Sequence, residues 1–366
     1  MGLYQLKVGK GGSGLEPFNT ETGQYEKIGF DFEGNQIDGW ESLRDLMLDM
    51  NQKDIYANAD QAFKDEVDNY IKDQYNALLK EEVGRLNRDY ARKHSGVEFY
   101  QSVDEMTENV SKFITDDVIS FINKKGSSFW TDDSRTIRSI AFMVHKTRYA
   151  NQTMNKISRD EFDEKTANLY NIPDVGWSCD QSIENDYLKT HNMVKVYRGV
   201  YCGNKTPADL YNEYCEGLFT GNDSVNGTAT ILGDCSGMYG SAIYMTTSEE
   251  YAGGYDNGFF LDSYIENLNS INIYFMEDET DSSGRGSELY NEMKRKKPII
   301  SAKIKNDLLA RGYSLNEIMP TISAIESGID NDFGFCCMLM GYDAFTAEGH
   351  QLDILNPSIV NVRGDK

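Results

Sequence analysis

The chain has 366 residues, with 36 Lys or Arg against 59 Asp or Glu and a formal net charge of −23. Apolar residues at 39 % and aromatics at 12 % suffice for a sizeable interior, so disorder of the whole chain is excluded and the length favours two domains or one large α+β body. The acid excess is spread evenly, about −11 up to residue 190 and −12 after it, which argues against nucleic acid or an anionic membrane as partner, both being polyanions. Six cysteines (Cys179, Cys202, Cys215, Cys235, Cys336 and Cys337) include no CxxC pair. They read as buried or free thiols in a reducing compartment, not as a zinc site or a disulfide scaffold. No signal-peptide core opens the chain and no stretch approaches the ~18 apolar residues of a membrane helix. Leu6 stands where a myristoylation signal on Gly2 needs Ser or Thr. The expectation is a soluble intracellular protein.

Residues 1–38 carry short alternating runs (Tyr25, Ile28, Phe30, Phe32) and read as a hairpin-like lead-in. The Gly9–Gly14 stretch lacks the GK[ST] ending of a phosphate loop and reads as a turn tip. From about residue 40 the period becomes helical. Phe63, Val67, Ile71, Tyr75, Leu79, Val83, Leu86 and Tyr90 form one apolar stripe on a long helix. Val103, Met106, Val110, Phe113, Val118 and Phe121 predict a second helix closed by Gly126, and Ile137, Ile140, Ala141 and Val144 a third, opened by Thr131 or Asp132. Helical signal fades through 150–190, and His94 and His145 read as surface or capping residues.

After residue 190 short strands and Gly-rich loops take over. Strands are expected at Val194–Val200, Ala242–Met245, Ile271–Phe275, Ile299–Ile304, Ala344–Thr346, Asp353–Leu355 and Ile359–Val362. Thr206-Pro207-Ala208-Asp209 is a helix start. A short helix is expected at 248–255, an acidic loop at Glu277–Glu288 and a helix near 314–327. The expected architecture is α+β: an α-helical unit over 1–190, then a mixed or antiparallel sheet domain over 191–366.

Three segments of the second half carry chemistry. Arg198 sits within the apolar strand Val196–Val200, where a guanidinium either faces solvent or holds an anion. Gly199 beside it allows close approach of a ligand to the backbone. Tyr244-Met245-Thr246-Thr247-Ser248 joins an aromatic strand to a hydroxyl cluster, and Thr247 with Glu250 has capping-box spacing. Gln351 and Asp353, two apart on a strand, share one face.

Together these segments resemble the arginine-type branch of the ADP-ribosyltransferase superfamily, which carries an Arg on its first strand, an aromatic-x-Ser-Thr-Ser strand and a Gln/Glu-x-Glu pair. Tyr197-Arg198-Gly199 matches the first motif, Tyr244 to Ser248 the second with Thr246 for the first Ser, and Gln351 to Pro357 the third with Asp353 for the Glu. The resemblance covers roughly 193–363. The spacing of Tyr244 and Tyr255 also resembles the diphtheria-toxin branch, but Arg198 replaces its His and Ala252 its Ser. The combination is similar to transferase domains of tailed-phage head proteins, which implies a phage protein of the host bacterial cytoplasm or the virion.

The resemblance implies a mono-ADP-ribosyltransferase that uses NAD as co-substrate on a host macromolecule, with the helical half docking a partner. By that resemblance Arg198, Thr246, Gln351 and Asp353 are the catalytic set, while Arg198, Gly199, Tyr244, Thr247, Ser248 and Tyr255 bind NAD; no metal is implied. Arg198 suits the diphosphate, Gly199 the nicotinamide amide, Tyr244 or Tyr255 its ring. Thr246 orients the carboxylate, Gln351 the acceptor, and Asp353 takes the ribose hydroxyl as positive charge develops. Glu348 is a nearby carboxylate off the motif. The alternatives are a catalytically decayed scaffold acting as a virion-associated or inhibitory binding protein, and an NAD glycohydrolase.

Overall fold

The computed structural model describes residues 3–9, 14–32, 35–94, 97–125, 140–141, 143–145, 147–149, 153–169, 172, 181–201, 206, 241–254, 258–276, 287–347 and 350–364, with only the backbone at a few positions such as 88–94. The chain mixes helices with several small sheets in the expected α+β manner and divides into two compact units, Met1–His94 and Ser95–Lys366. The boundary expected near residue 190 therefore falls inside the second unit.

In the first unit, β1 (Tyr4–Val8) and β2 (Leu15–Asn19) form an antiparallel hairpin extended by β3 (Gln24–Tyr25), and β4 (Phe30–Phe32) pairs with β5 (Asn35–Ile37). Helices α1 (Trp40–Met47), α2 (Met50–Asn58) and the 34-residue α3 (Gln61–His94) follow. Asp49 starts α2 by accepting from the Gln52 N–H. The α3 stripe is buried at Ile71, Leu79 and Val83, with Ile71 packing on Ile37 and Leu43, whereas Phe63 at its start is exposed. Buried Asn87 ties α3 to β1, exchanging bonds with the Tyr4 backbone at 2.7 and 2.6 Å.

The second unit opens with the segment read as one helix over Val103–Phe121, which is in fact three pieces. These are α4 (Val103–Asn109), a 3-10 turn (Val110–Phe113) and α5 (Asp116–Lys125). The break follows the acceptors: Ser102 caps α4, and Ile114 leaves the helix so that its carbonyl meets Arg311. Gly126 lies outside the described residues, as do Thr131, Asp132 and Ile137, and described residues of 140–148 are helical. The region of fading signal holds β6 (Asn155–Ile157), α6 (Arg159–Thr166) and α7 (Gln181–Thr190).

Strand β7 (Met193–Tyr201) pairs along its whole length with β8 (Gly258–Glu266), an antiparallel partner absent from the expected strands. Between them lies α8 (Glu249–Gly253), and β9 (Ile273–Tyr274) follows. Three helices come next: α9 (Glu288–Ala310), α10 (Leu315–Asn331) and α11 (Phe333–Met340). The run Ile299–Ile304 is thus helical, not a strand. Met293, Ile300, Ile304 and Leu308 are buried at helical spacing, and Ser287 caps the start. The β-branched run after Pro298 imitates a strand only locally. The helix start at Thr206–Asp209 and the Glu277–Glu288 loop lie mostly outside the described residues.

Strands β10 (Ala344–Ala347), β11 (Gln351–Ile354) and β12 (Val360–Arg363) complete two sheets, in orders β6-β12-β8-β7 and β11-β10-β9. Both are mixed, with β9 parallel to β10 and β6 parallel to β12. One apolar core joins the sheets through Val194, Val196, Leu261, Ile265, Leu352 and Ile354, and receives Leu188 of α7. A second core packs Tyr100, Met106, Phe113, Val118 and Val144 with the inner faces of α9, α10 and α11. The described residues of 97–122 and 140–149 therefore belong to the C-terminal unit because their apolar faces have their burial partners there.

Candidate functional site

The three sequence segments, far apart in the chain, are neighbours in the fold. Residues 241–248 run between β7 and β11, with antiparallel bridges Tyr197↔Thr246, Thr246↔Gln351 and Ile243↔Ile354. Tyr197 and Thr246 exchange both backbone bonds at 2.8 and 2.9 Å. The segment starts from Asp332, the N-cap of α11, whose buried carboxylate accepts from the Ser241 N–H at 2.8 Å and hydroxyl at 2.6 Å. Burial raises the Asp332 carboxyl, and these donors oppose the shift.

Arg198 is half-buried and donates from Nη1 to the Tyr244 carbonyl oxygen, with half-buried Gly199 beside it. Tyr244, also half-buried, packs its ring on the helical core. The hydroxyl cluster is buried and each member has a task. Thr246 Oγ1 accepts from the Ser248 N–H at 3.0 Å, and Ser248 Oγ accepts from the Tyr251 N–H at 3.1 Å. Ser248, not Thr247, is thus the cap of α8. Thr247 instead donates to Glu184 Oε1 at 2.9 Å, while its N–H donates to the His350 carbonyl at 2.8 Å.

On β11, Gln351 is half-buried and donates to the Tyr251 hydroxyl at 2.9 Å. Leu352 and Ile354 enter the inter-sheet core, so alternation turns Asp353 to the other face, in register with Phe345. Asp353 is 0 % exposed, and neither carboxylate oxygen has a hydrogen-bond partner among the described residues. Burial pushes its carboxyl well above the ordinary range. Arg198 pulls it down by charge, Glu184 pushes it up, and the Met245 N–H acts weakly from outside hydrogen-bond geometry. The net direction favours the neutral carboxyl over the carboxylate.

Arg198, Gly199, Tyr244, Thr246, Thr247, Ser248, Gln351 and Asp353 thus lie on adjacent segments. Tyr255 and Glu348 are outside the described residues. Three further residues of the site carry weak sequence signals. Glu184 is fully buried on α7, on a segment where the sequence carries only fading helical signal. His350 adopts a left-handed backbone (φ 66°) that aims its carbonyl at Thr247. Tyr251 holds Gln351 from α8. Buried His145 is neither surface nor cap: its Nε2 donates to the Leu355 carbonyl at 2.6 Å, and burial lowers its pKa to about 4.

Among the described residues no group of three or more His, Cys, Asp or Glu side chains could hold a metal ion, and no helix is long and apolar enough to cross a membrane. No protein-family model matches the chain, and neither a curated protein nor a solved structure matches it.

Proposed function

We propose that the second unit is a mono-ADP-ribosyltransferase domain that uses NAD as co-substrate to modify a host macromolecule, in keeping with a phage protein. The observation that carries this reading is the strand register Tyr197↔Thr246↔Gln351. It supports treating three dispersed motifs as one site, which chance matches in unrelated segments would not require.

In this reading Arg198 turns its guanidinium from the Tyr244 carbonyl to the NAD diphosphate, where two parallel bonds replace one. Gly199 offers its backbone to the nicotinamide amide, and Tyr244 or Tyr255 stacks on the ring. The bond from ribose to nicotinamide breaks through an oxocarbenium-like state, whose positive charge a carboxylate at 353 stabilises. Burial disfavours the charged form of Asp353, and the arrival of positive charge beside it favours the carboxylate that the task needs. Thr246 and Ser248 hold the turn that faces this strand, and Gln351, steadied by Tyr251, orients the acceptor.

A second reading has its own observation. Asp353 is fully buried with no hydrogen-bond donor among the described residues, and Arg198 is engaged by the protein's own backbone. Both fit a decayed scaffold that binds a partner without catalysis. The deciding experiment measures nicotinamide release from NAD with and without bacterial lysate. Release that requires lysate supports transfer, release without lysate supports glycohydrolase activity, and no release with no NAD binding supports the scaffold.

A further inference from the structure

The first unit holds a cleft of about 880 Å³, within the usual size of small-molecule sites and apart from the three motifs. Three pieces of chain wall it, all inside Met1–His94. The β2–β3 side contributes Pro17, Tyr25 and Glu26. Helix α3 contributes one face, on which Asn69, Lys72, Asn76 and Leu79 recur at three- and four-residue steps. The third side is the turn Asp38–Glu41 at the start of α1, fixed by Ser42, whose Oγ accepts from the Asp38 and Gly39 N–H groups at 3.0 and 3.2 Å. The aromatic lining is held in place. Tyr75 meets Phe30 edge to face at 6.0 Å, and Tyr25 meets Phe18 at 5.3 Å while its hydroxyl donates to the Val8 carbonyl.

Two observations set the charge of an occupant. The cleft is lined by five carboxylates, Glu16, Glu26, Asp38, Glu41 and Asp73, against two lysines, and none of the five forms an ion pair among the described residues. Within the cleft the Lys72 ammonium, also outside any ion pair among the described residues, stands 4.4 Å from the centre of the Trp40 ring. The indole face therefore already accepts an ammonium, and the carboxylates around it repel an anion. We propose that this cleft binds an aliphatic polycation, ammonium groups carried on methylene chains, with one ammonium on Trp40 in place of Lys72 and others on Asp38, Glu41 and Asp73. Leu15, Ile28 and Leu79 give the methylenes apolar contact. A free polyamine and the neighbouring lysines of a partner protein share this chemistry. The site lies wholly in the first unit and does not depend on the transferase reading.

The test is calorimetry on the full chain with spermidine as probe, in about 0.1 M salt to screen attraction to the acidic surface at large. One site is expected. Asp38→Asn/Glu41→Gln, at exposed positions, should weaken it about tenfold. Asp54→Asn/Glu66→Gln, the same charge change at exposed positions outside the cleft, should alter it by less than about twofold. Asp73→Asn takes the place of the first pair if that variant does not fold. Lys72→Gln removes the resident ammonium and should tighten binding severalfold. Trilysine is the second probe, and the tighter of the two marks the source as a free polyamine or a partner's side chains. No one-site binding of either probe overturns the proposal. Equal weakening by the two paired variants overturns it as well, leaving only general attraction to an acidic chain.

Discussion

At the scale of single residues, Arg198 and Asp353 make different demands. Arg198 is half-buried at a strand position whose backbone pairing with β8 does not depend on its side chain. Arg198→Ala should therefore leave the fold intact while weakening NAD binding by about 10–100-fold, the worth of a charge-assisted pair to diphosphate. Calorimetry giving equal affinities for the two proteins would remove Arg198 from the site. Asp353→Asn should abolish nicotinamide release, because the neutral amide cannot become the anion that faces the developing cation. It should also change stability with pH. The folded chain holds the Asp353 proton above the ordinary value of 3.8, so this contribution is full below that value and is lost as pH rises through the elevated one. Asp353→Asn should therefore gain melting temperature over wild type as pH rises, and the gain should vanish near pH 4, which a Tm-against-pH series of the two proteins checks. His145 works in the opposite sense. Its pKa falls from 6.5 to about 4, so the unfolded chain takes up the proton first and stability declines as pH drops between those values. That loss is on the order of 3 kcal/mol, and replacing His145 by Gln should flatten this part of a Tm-against-pH curve.

Among elements, the segment 241–248 links the motifs of the site, and it is held both by its backbone bridges to β7 and β11 and by α11 at its start. Asp332 caps α11 and binds Ser241 in the same carboxylate, while a side chain at Gly334 would collide with the Ser241 backbone. The far end of α11 is equally constrained. Gly341 ends the helix at φ 87°, and a Cβ there would strike Arg148 and the Glu98 carbonyl. Gly312, at φ 95° after α9, has open space around it. Gly341→Ala should accordingly cost about 2–4 kcal/mol, from strain plus collision, whereas Gly312→Ala should cost about 1 kcal/mol from strain alone. Equal denaturation midpoints for the two variants would show that the Arg148 contact yields freely. The misread strand at Ile299–Ile304 belongs to this scale too: its periods of two and of four overlap over six residues, and only the buried set from Met293 to Leu308 separates them.

At the scale of the whole molecule, the division at His94 and Ser95 changes what a truncation should do. A chain starting at residue 185 keeps all three motifs but loses Tyr100, Met106, Val110, Phe113, Ile114, Val118, Ile122 and Val144, each nearly fully buried against the C-terminal helices. It also loses Glu184. Such a fragment should be insoluble or molten, since each lost large side chain leaves a cavity worth about 2–5 kcal/mol. A chain starting at Ser95 keeps the whole of that core and should fold cooperatively. If it also keeps nicotinamide release, the first unit contributes no catalytic group. A folded, two-state fragment from residue 185 would contradict this account of the core.

The α+β class, the helical period of residues 61–94 and the three chemistry-bearing segments were legible because each is written locally, in side-chain period, in caps and in residue types that need a reason to sit in an apolar strand. Tyr197-Arg198-Gly199, Thr246 and Gln351 could be singled out without knowing their partners. Their pairing could not, because strand register between residues some 50 and 100 positions apart depends on which apolar faces close on one another. The same holds for the helices over 103–125: amphipathicity says that they bury a stripe, not against what. Burial finally decided the chemistry. Asp353 and Glu184 are ordinary acids in the sequence, and only the three-dimensional sum of neighbours removes water from both.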